Sequence, residues 1–405
     1  MLASLEPPPQ RLPGLGEVTA GIDRHNLVNA LVAWLFAISG PVAIIFAVAR
    51  QGGLHPDDVS SWVFAAFTIG GLLTMAFSYL FRQPIAIMWT IPGAVLVGGA
   101  LQHLSLAEVI GACLACGLLI AFLGMTGLVS RIMTAIPMPI VMAMVAGVFL
   151  PFGLNIITAF SDATAMAIAM VVAFAIPTAI PRLGSVLPPV LCALAAGVAI
   201  IISSGQMSDV QIPNLAFAQP KIYIPEFTLR AIGELMVPLA VTVIAAQNAQ
   251  GFIILRQAGY DPPENNLTVA CGLGSLLYGI FGSVPTCVTG PANAILNTSG
   301  SKERRYVAGM LFGLLAIIFG LFAPFTTGLG LLLPAVFINL LGGLAMLAVL
   351  QSAFATAFSS PHALGALVTF IVTLSGVAVL NIGAPFWGLV FGYATTLLLN
   401  RPTKP

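Results

Sequence analysis

The sequence predicts an all-α integral membrane protein with about 14 transmembrane segments in two inverted seven-span repeats. Three observations predict it: an extreme composition, a one-sided distribution of basic residues, and a motif that recurs half a chain apart. Of 405 residues, 59% are hydrophobic and 7% charged, whereas a soluble domain carries roughly 25% charged residues. That composition leaves no place for a soluble enzyme or a nucleic-acid-binding domain.

Residues 1–26 hold Pro7-Pro8-Pro9, Arg11, Glu17, Asp23 and Arg24 and read as a cytoplasmic tail, not a cleaved signal peptide. A bilayer core needs about 20 apolar residues per helix. The apolar runs of the first repeat, 27–204, lie near 27–49, 59–80, 84–102, 105–129, 135–158, 163–181 and 187–204. A polar external stretch, 205–226, separates the halves. The second repeat, 227–400, has runs near 228–254, 265–282, 284–300, 304–325, 328–357, 363–379 and 382–400.

Lysine and arginine favour the cytoplasmic side of a membrane protein. With the N-terminus inside, Arg11, Arg24, Arg82, Arg131, Arg182, Arg256, Lys302, Arg304, Arg305, Arg401 and Lys404 fall inside. Only Arg50, Lys221 and Arg230 fall outside. Both termini are then cytoplasmic, and the expected location is an inner membrane. Removing one span would scramble this sorting, so the bias also supports the count.

The halves align in order. Arg50-Gln51-Gly52-Gly53-Leu54-His55-Pro56 matches Arg256-Gln257-Ala258-Gly259-Tyr260-Asp261-Pro262 at an offset of 206. Thr90-Ile91-Pro92 matches Thr289-Gly290-Pro291 at 199. Pro137 and Gly147 match Pro334 and Gly343 at 197 and 196. An odd number of spans per half makes the two halves enter the membrane in opposite directions.

Each Thr-x-Pro reads as a Thr N-cap with Pro in the first turn of an apolar helix. The residues before, Pro84–Trp89 and Val284–Val288, read as short extended runs. A helix beginning inside the bilayer exposes N–H groups that need a polar partner. Paired broken helices at matched positions therefore mark a substrate site near the midplane, with positive dipole ends suited to an anion. Trp89, Thr90, Ile91, Cys287, Val288, Thr289 and Gly290 are the expected contacts.

Span eight carries Ala246-Gln247-Asn248-Ala249-Gln250-Gly251, an amide cluster that is costly in lipid unless partnered. Gln247 and Asn248 are candidates for the substrate site, where they could pair with a substrate oxygen or with the unwound backbone; hydrogen bonding between helices is the other use of such amides. The matching part of span one, Ser39-Gly40-Pro41, offers a close backbone approach or a kink. Phe36 and Trp89 could flank an aromatic ring, although a single aromatic in a membrane helix more often serves packing or the interfacial belt.

Few carboxylates lie in apolar runs. Glu234, upstream of the amides on the same span, is the candidate proton carrier, although a place at a helix start also suits an exposed residue. His25, His55, His103 and His362 fall near span ends, where solvent is expected. Cys113-x-x-Cys116 lacks a second metal-binding pair, and all five cysteines lie in apolar segments. No cofactor or metal site is expected.

These residues resemble a known family. Gln247-Asn248-x-x-Gly251 with Leu255-Arg256-x-Ala258-Gly259-Tyr260-x-Pro262-Pro263 is similar to the eighth-helix pattern of the BenE-type benzoate:proton symporters. Ser61-Trp62, Trp89-Thr90-x-Pro92-Gly93, Ile136-Pro137-Met138, Ala143-Met144-x-Ala146-Gly147 and Phe386-Trp387-Gly388-Leu389 resemble it too. The resemblance covers nearly the whole chain. It implies the seven-plus-seven fold shared with nucleobase, ascorbate and sulfate transporters. A core domain (27–129 and 227–325) then holds substrate, and a gate domain (135–204 and 328–400) often dimerises.

One segment departs from the pattern. Many members have an Asn-containing, Ala-rich tenth segment, where this chain has Val284-Pro285-Thr286-Cys287-Val288-Thr289-Gly290-Pro291. The expected function is proton-coupled transport of a small organic anion, with benzoate or a related aromatic carboxylate foremost. The alternatives are a passive anion channel or uniporter, or a carrier of another anion or nucleobase-like substrate. An intramembrane enzyme would need a nucleophile–base pair or metal cluster at depth, and the sequence supplies neither.

Overall fold

The computed structural model describes residues 5–8, 11–129, 131, 133, 137–180, 184, 187–204, 213–298, 300–359, 361–377, 379–380 and 382–399. Pro9, Ile136, Arg182, Arg401, Lys404 and the loop residues 205–212 lie outside them.

The first half begins with α1 (Leu15–Ala20), α2 (Arg24–Ile38) and α3 (Gly40–Gln51). Asp23 caps α2 by accepting the Asn26 N–H at 2.9 Å. Ser39 interrupts the helix before Pro41, which explains why two helices share one apolar run. Next come α4 (Pro56–Phe64), a π-helical turn (Ala65–Ile69), α5 (Gly70–Phe81), β1 (Ile87–Trp89) and α6 (Ile91–Ala100). After them lie α7 (Leu106–Thr126), α8 (Met138–Asp162), α9 (Thr164–Ala179) and α10 (Pro189–Ser203).

The second half runs α11 (Leu229–Ala231), a π turn (Ile232–Met236), α12 (Val237–Val241), a π stretch (Thr242–Asn248) and α13 (Ala249–Gln257) as one continuous rod. Then come α14 (Glu264–Ile280), β2 (Thr286–Val288), α15 (Gly290–Leu296), α16 (Tyr306–Leu321), α17 (Ala323–Leu332), α18 (Ala335–Phe358), α19 (Ala363–Ser375) and α20 (Ala384–Leu399). Seven helical stretches among the described residues are long and apolar enough to cross a membrane.

The expected eleventh and twelfth runs need correcting. Residues 304–357 form three helices, not two: α16 stops at Leu321, α17 is a separate ten-residue helix, and α18 starts after Pro334. Pro324 sits in the first turn of α17 and Pro334 lies outside α18, where a missing N–H costs nothing.

The longest contacts run between α8 and α18, and between α7 and α14. Glycine lets backbones approach where membrane helices cross. A Cβ on Gly71 of α5 would lie 2.5 Å from the Gly313 carbonyl of α16. One on Gly272 of α14 would lie 2.3 Å from the Ala121 backbone of α7.

The described part of the connecting stretch, 213–226, is an extended belt. Its backbone N–H groups at Ala218, Tyr223 and Glu226 donate to Leu321, Ile280 and Ala107. Tyr223 Oη donates to Asp58 at 2.5 Å, and Lys221 Nζ reaches the same carboxylate at 3.2 Å. Burial pushes the Lys221 amine down, but the Asp58 and Asp57 carboxylates outweigh it and hold it above its ordinary value.

Candidate binding site

β1 and β2 pair antiparallel, with Met88 opposite Cys287. Those two residues are counterparts at the 199-residue offset, so the register is symmetric about them. The flanking bonds are reciprocal: Thr90 N–H donates to the Pro285 carbonyl, and Thr289 N–H to that of Ala86, both at 3.0 Å. A strand pair buried among helices must still satisfy its outward N–H groups. Ile87 N–H finds Thr74 Oγ1 at 2.9 Å and Thr286 N–H finds Ser275 Oγ at 3.0 Å. Val288 N–H donates to Asn248 Oδ1 at 2.8 Å.

One departure from symmetry explains itself. Ala86 N–H needs an acceptor and takes Asn293 Oδ1 at 2.7 Å. Its counterpart Pro285 has no N–H, and the counterpart of Asn293 is the apolar Ala94.

The helices after the strands, α6 and α15, open beside a cavity of about 450 Å3. That lies within the roughly 300–1,000 Å3 range of small-molecule sites. Ile91, Pro92 and Pro291 form its end at the two helix starts. Gln247 and Gln250, one turn apart, line one wall with Ile253 and Ile254. Met138, Met142, Val145 and Phe149 recur at helical spacing along α8 and form the apolar wall opposite. Ser352 and Thr356 of α18 add two hydroxyls. The described lining contains no Asp, Glu, His, Lys or Arg. Such a chamber accepts an apolar body whose polar end meets amides, hydroxyls and helix starts.

The expected contacts divide. Gln247 and Ile91 line the cavity. Thr90 is buried and caps α6, its Oγ1 accepting the Gly93 N–H at 3.2 Å. Thr289 holds the corresponding place but makes no side-chain capping bond, so only one of the two threonines caps as expected. Gly290 begins α15, where a Cβ would lie 2.6 Å from the Gln250 carboxamide. The missing side chain lets Gln250 lie against the helix start.

Asn248, Cys287 and Val288 are buried around β2 and do not line the cavity. Trp89 and Thr289, with Phe36, border a separate recess of about 20 Å3. That is room for about one water, not for an aromatic ring. Ser39 donates to the Phe36 carbonyl at 3.0 Å. Gly40 faces α18, where its Cβ would meet that of Ala345 at 2.3 Å. Both therefore serve a helix break and a close crossing rather than the cavity wall.

Glu234 is neither exposed nor in the cavity. Its side chain is 6% exposed, and His103 Nε2 lies 3.0 and 3.1 Å from its two oxygens. His103 thus has a buried partner where solvent was expected. Gln250, Ser352, Thr356 and the α8 wall were not among the sequence candidates. Gln250's place in the amide cluster was a usable signal, whereas a serine on an apolar helix gave none.

The model of the BenE family, described as benzoate membrane transport protein, matches residues 21–398. The inner membrane protein YdcO of Escherichia coli (strain K12) is 30% identical over 382 residues, 93% of this chain and 96% of that protein. The benzoate membrane transport protein of Acinetobacter baylyi (strain ATCC 33305 / BD413 / ADP1) is 29% identical over 381 residues, 93% and 95% of the two chains. Among solved structures, the transmembrane domain of a cyanobacterium bicarbonate transporter, BicA, superposes with TM-score 0.64 at 16% identity, covering 94% of this chain and 98% of that one. The murine Slc26a9 anion transporter in the inward-facing state gives 0.62 at 15%, covering 96% and 70%. At such identities the likeness establishes the fold.

Proposed function

The chain belongs to the BenE family, and from that premise we propose that this membrane anion transporter carries benzoate or a related aromatic carboxylate together with a proton. One observation carries the reading: an apolar cavity of about 450 Å3 ends at two helix starts and bears Gln247 and Gln250. The aromatic body packs against Met142 and Phe149 while the carboxylate meets the amides and the helix starts. Each helix start contributes a partial positive charge, up to about half an elementary charge in a long helix. No cationic side chain has to be desolvated in the empty carrier.

Fourteen spans in two inverted repeats account for the symmetric register of β1 and β2 and for the reciprocal bonds at Thr90 and Thr289. In this reading residues 27–129 and 227–325 form the core group, and 135–204 and 328–400 the gate group. The cavity lies on the seam between them. Its lining includes Met138, Ile254 and Thr356, at helix ends that the basic residues assign to the cytoplasm. The conformation is then inward-facing, in an inner membrane with both termini inside. Homodimer contacts belong to the gate group. The proton travels with the substrate as the neutral acid or on Glu234.

A second reading, uniport without protons, draws on the absence of any titratable group among the described lining residues. Ligand-induced stabilisation of purified protein tests the substrate class. Benzoate at about 100 times its Kd adds roughly 2.7 kcal/mol to the folded state. Stabilisation by uracil or bicarbonate with no response to benzoate would overturn the assignment.

A further inference from the structure

Glu234, the carboxylate of the Glu234–His103 pair, sits on the same helical rod as Gln247, thirteen residues earlier. That is roughly 20 Å from the cavity at about 1.5 Å per residue. The rod has a π turn at Ile232–Met236, and such turns re-aim side chains and cluster at functional positions. Here the turn directs Glu234 into the seam between the two groups of helices. Gly383, just before α20, comes close to the carboxylate, so that a Cβ there would lie 2.8 Å from Glu234 Oε1. Ile382 covers the neighbouring Gly233, within 3.6 Å of where a Cβ would sit.

Described residues beside Gly383 are joined by hydrogen bonds. Val379 and Ile382 exchange backbone bonds of 3.0 Å, and Trp387 Nε1 donates to the Val379 carbonyl at 2.8 Å. The pair therefore joins three elements. Glu234 comes from the rod, His103 from the turn after α6, and Gly383 from the gate group.

Other charged or titratable groups on elements packed against this stretch are Arg230, Glu108, Cys113, Cys116 and, on α20, Tyr393. Glu108 is already engaged by Ser105 N–H and Thr228 Oγ1. The thiols are buried within the α7 packing.

We infer that Glu234 and His103 form a proton-operated lock that holds the core–gate seam closed at the end of the molecule remote from the cavity. The inference rests on the alternating-access reading of the proposed function. A buried carboxylate bound by an imidazole keeps its partner only while the seam is shut. Parting the seam admits water to the carboxylate, which the part-exposed imidazole covers while it is shut. Histidine is the side chain most used as a proton-responsive switch, so pH is the variable that probes this hold on Glu234. A doubly charged pair grips most strongly. Loss of the imidazolium proton leaves a buried carboxylate with a weaker neutral donor. The lock needs no substrate, and it couples proton binding to the seam rather than to the cavity.

The test reads seam opening directly. Ile382→Cys places a thiol on the seam, and Asn214→Cys on the exposed belt corrects for the pH dependence of the thiol itself. In purified protein without substrate, Ile382→Cys should react slowly with a maleimide at pH 6 relative to the control, and faster at pH 8. Adding Glu234→Gln or His103→Gln should raise the corrected rate roughly tenfold or more, as expected for losing a hydrogen bond to a charged group, and remove the pH dependence. Thermal unfolding identifies a misfolded variant, and the half-exposed His103 provides the milder substitution. A folded variant whose rate and pH dependence match the parent overturns the lock. Because no substrate enters the assay, that result would leave the carboxylate assignment standing.

Discussion

At the residue scale, neighbouring amides on one helix do different work. Asn248 supplies the acceptor for the Val288 N–H and is fully buried, while Gln247 and Gln250 face the cavity. Asn248→Ala should lower the unfolding free energy by about 1–3 kcal/mol, the cost of leaving a buried donor unpaired. Denaturant or thermal unfolding checks this. Gln250→Ala should leave stability within about 0.5 kcal/mol and weaken benzoate binding about tenfold, or about 1.4 kcal/mol. Titration calorimetry on both variants separates the roles; equal loss of affinity without loss of stability would contradict the division. The amide cluster was legible as special in the sequence. Its split was not, because helix periodicity separates Asn248 from Gln247 and Gln250 by about 100° or more but nothing in the sequence says which of the two faces meets β2 and which meets the cavity. The Glu234–His103 pair was equally hidden, since its partners lie 131 residues apart.

At the scale of elements, the repeated Thr-x-Pro was the clearest signal, and the structure places a strand before and a helix after each copy. The copies differ in chemistry, however. Thr90 caps its helix and Thr289 does not. Thr90→Ala should cost about 1 kcal/mol of stability, the usual loss of an N-cap, and Thr289→Ala markedly less. Thermal shifts of similar size for both would contradict the asymmetry. Gly40 offers a second test at this scale. Gly40→Ala would force its new methyl against Ala345 and wedge α3 from α18, so transport should fall well below that of the parent while the protein still folds. Wild-type transport would show that the crossing yields at little cost. Helix α17 escaped the sequence reading because its ten residues lie between two longer apolar runs. Only Pro324 and Pro334 mark its ends.

At the scale of the whole molecule, composition made the membrane class legible, and the matched motifs are the ground for the proposed duplication. The cavity was not legible, because its apolar wall comes from α8 and α18, whose inward and lipid-facing residues are chemically alike. Lipid and cavity both select Met, Val, Leu and Phe, so no periodicity separates them. The two helix starts and their amides are proposed to serve a carboxylate moved by a proton gradient, and uptake of radiolabelled benzoate into proteoliposomes reads that directly. With the exterior acidic, benzoate should accumulate transiently above the external concentration. A protonophore should abolish the accumulation, and Gln250→Ala should reduce it. Uptake that only equilibrates and ignores the imposed gradient, or no uptake from a folded, correctly inserted protein, would contradict proton-coupled carboxylate transport.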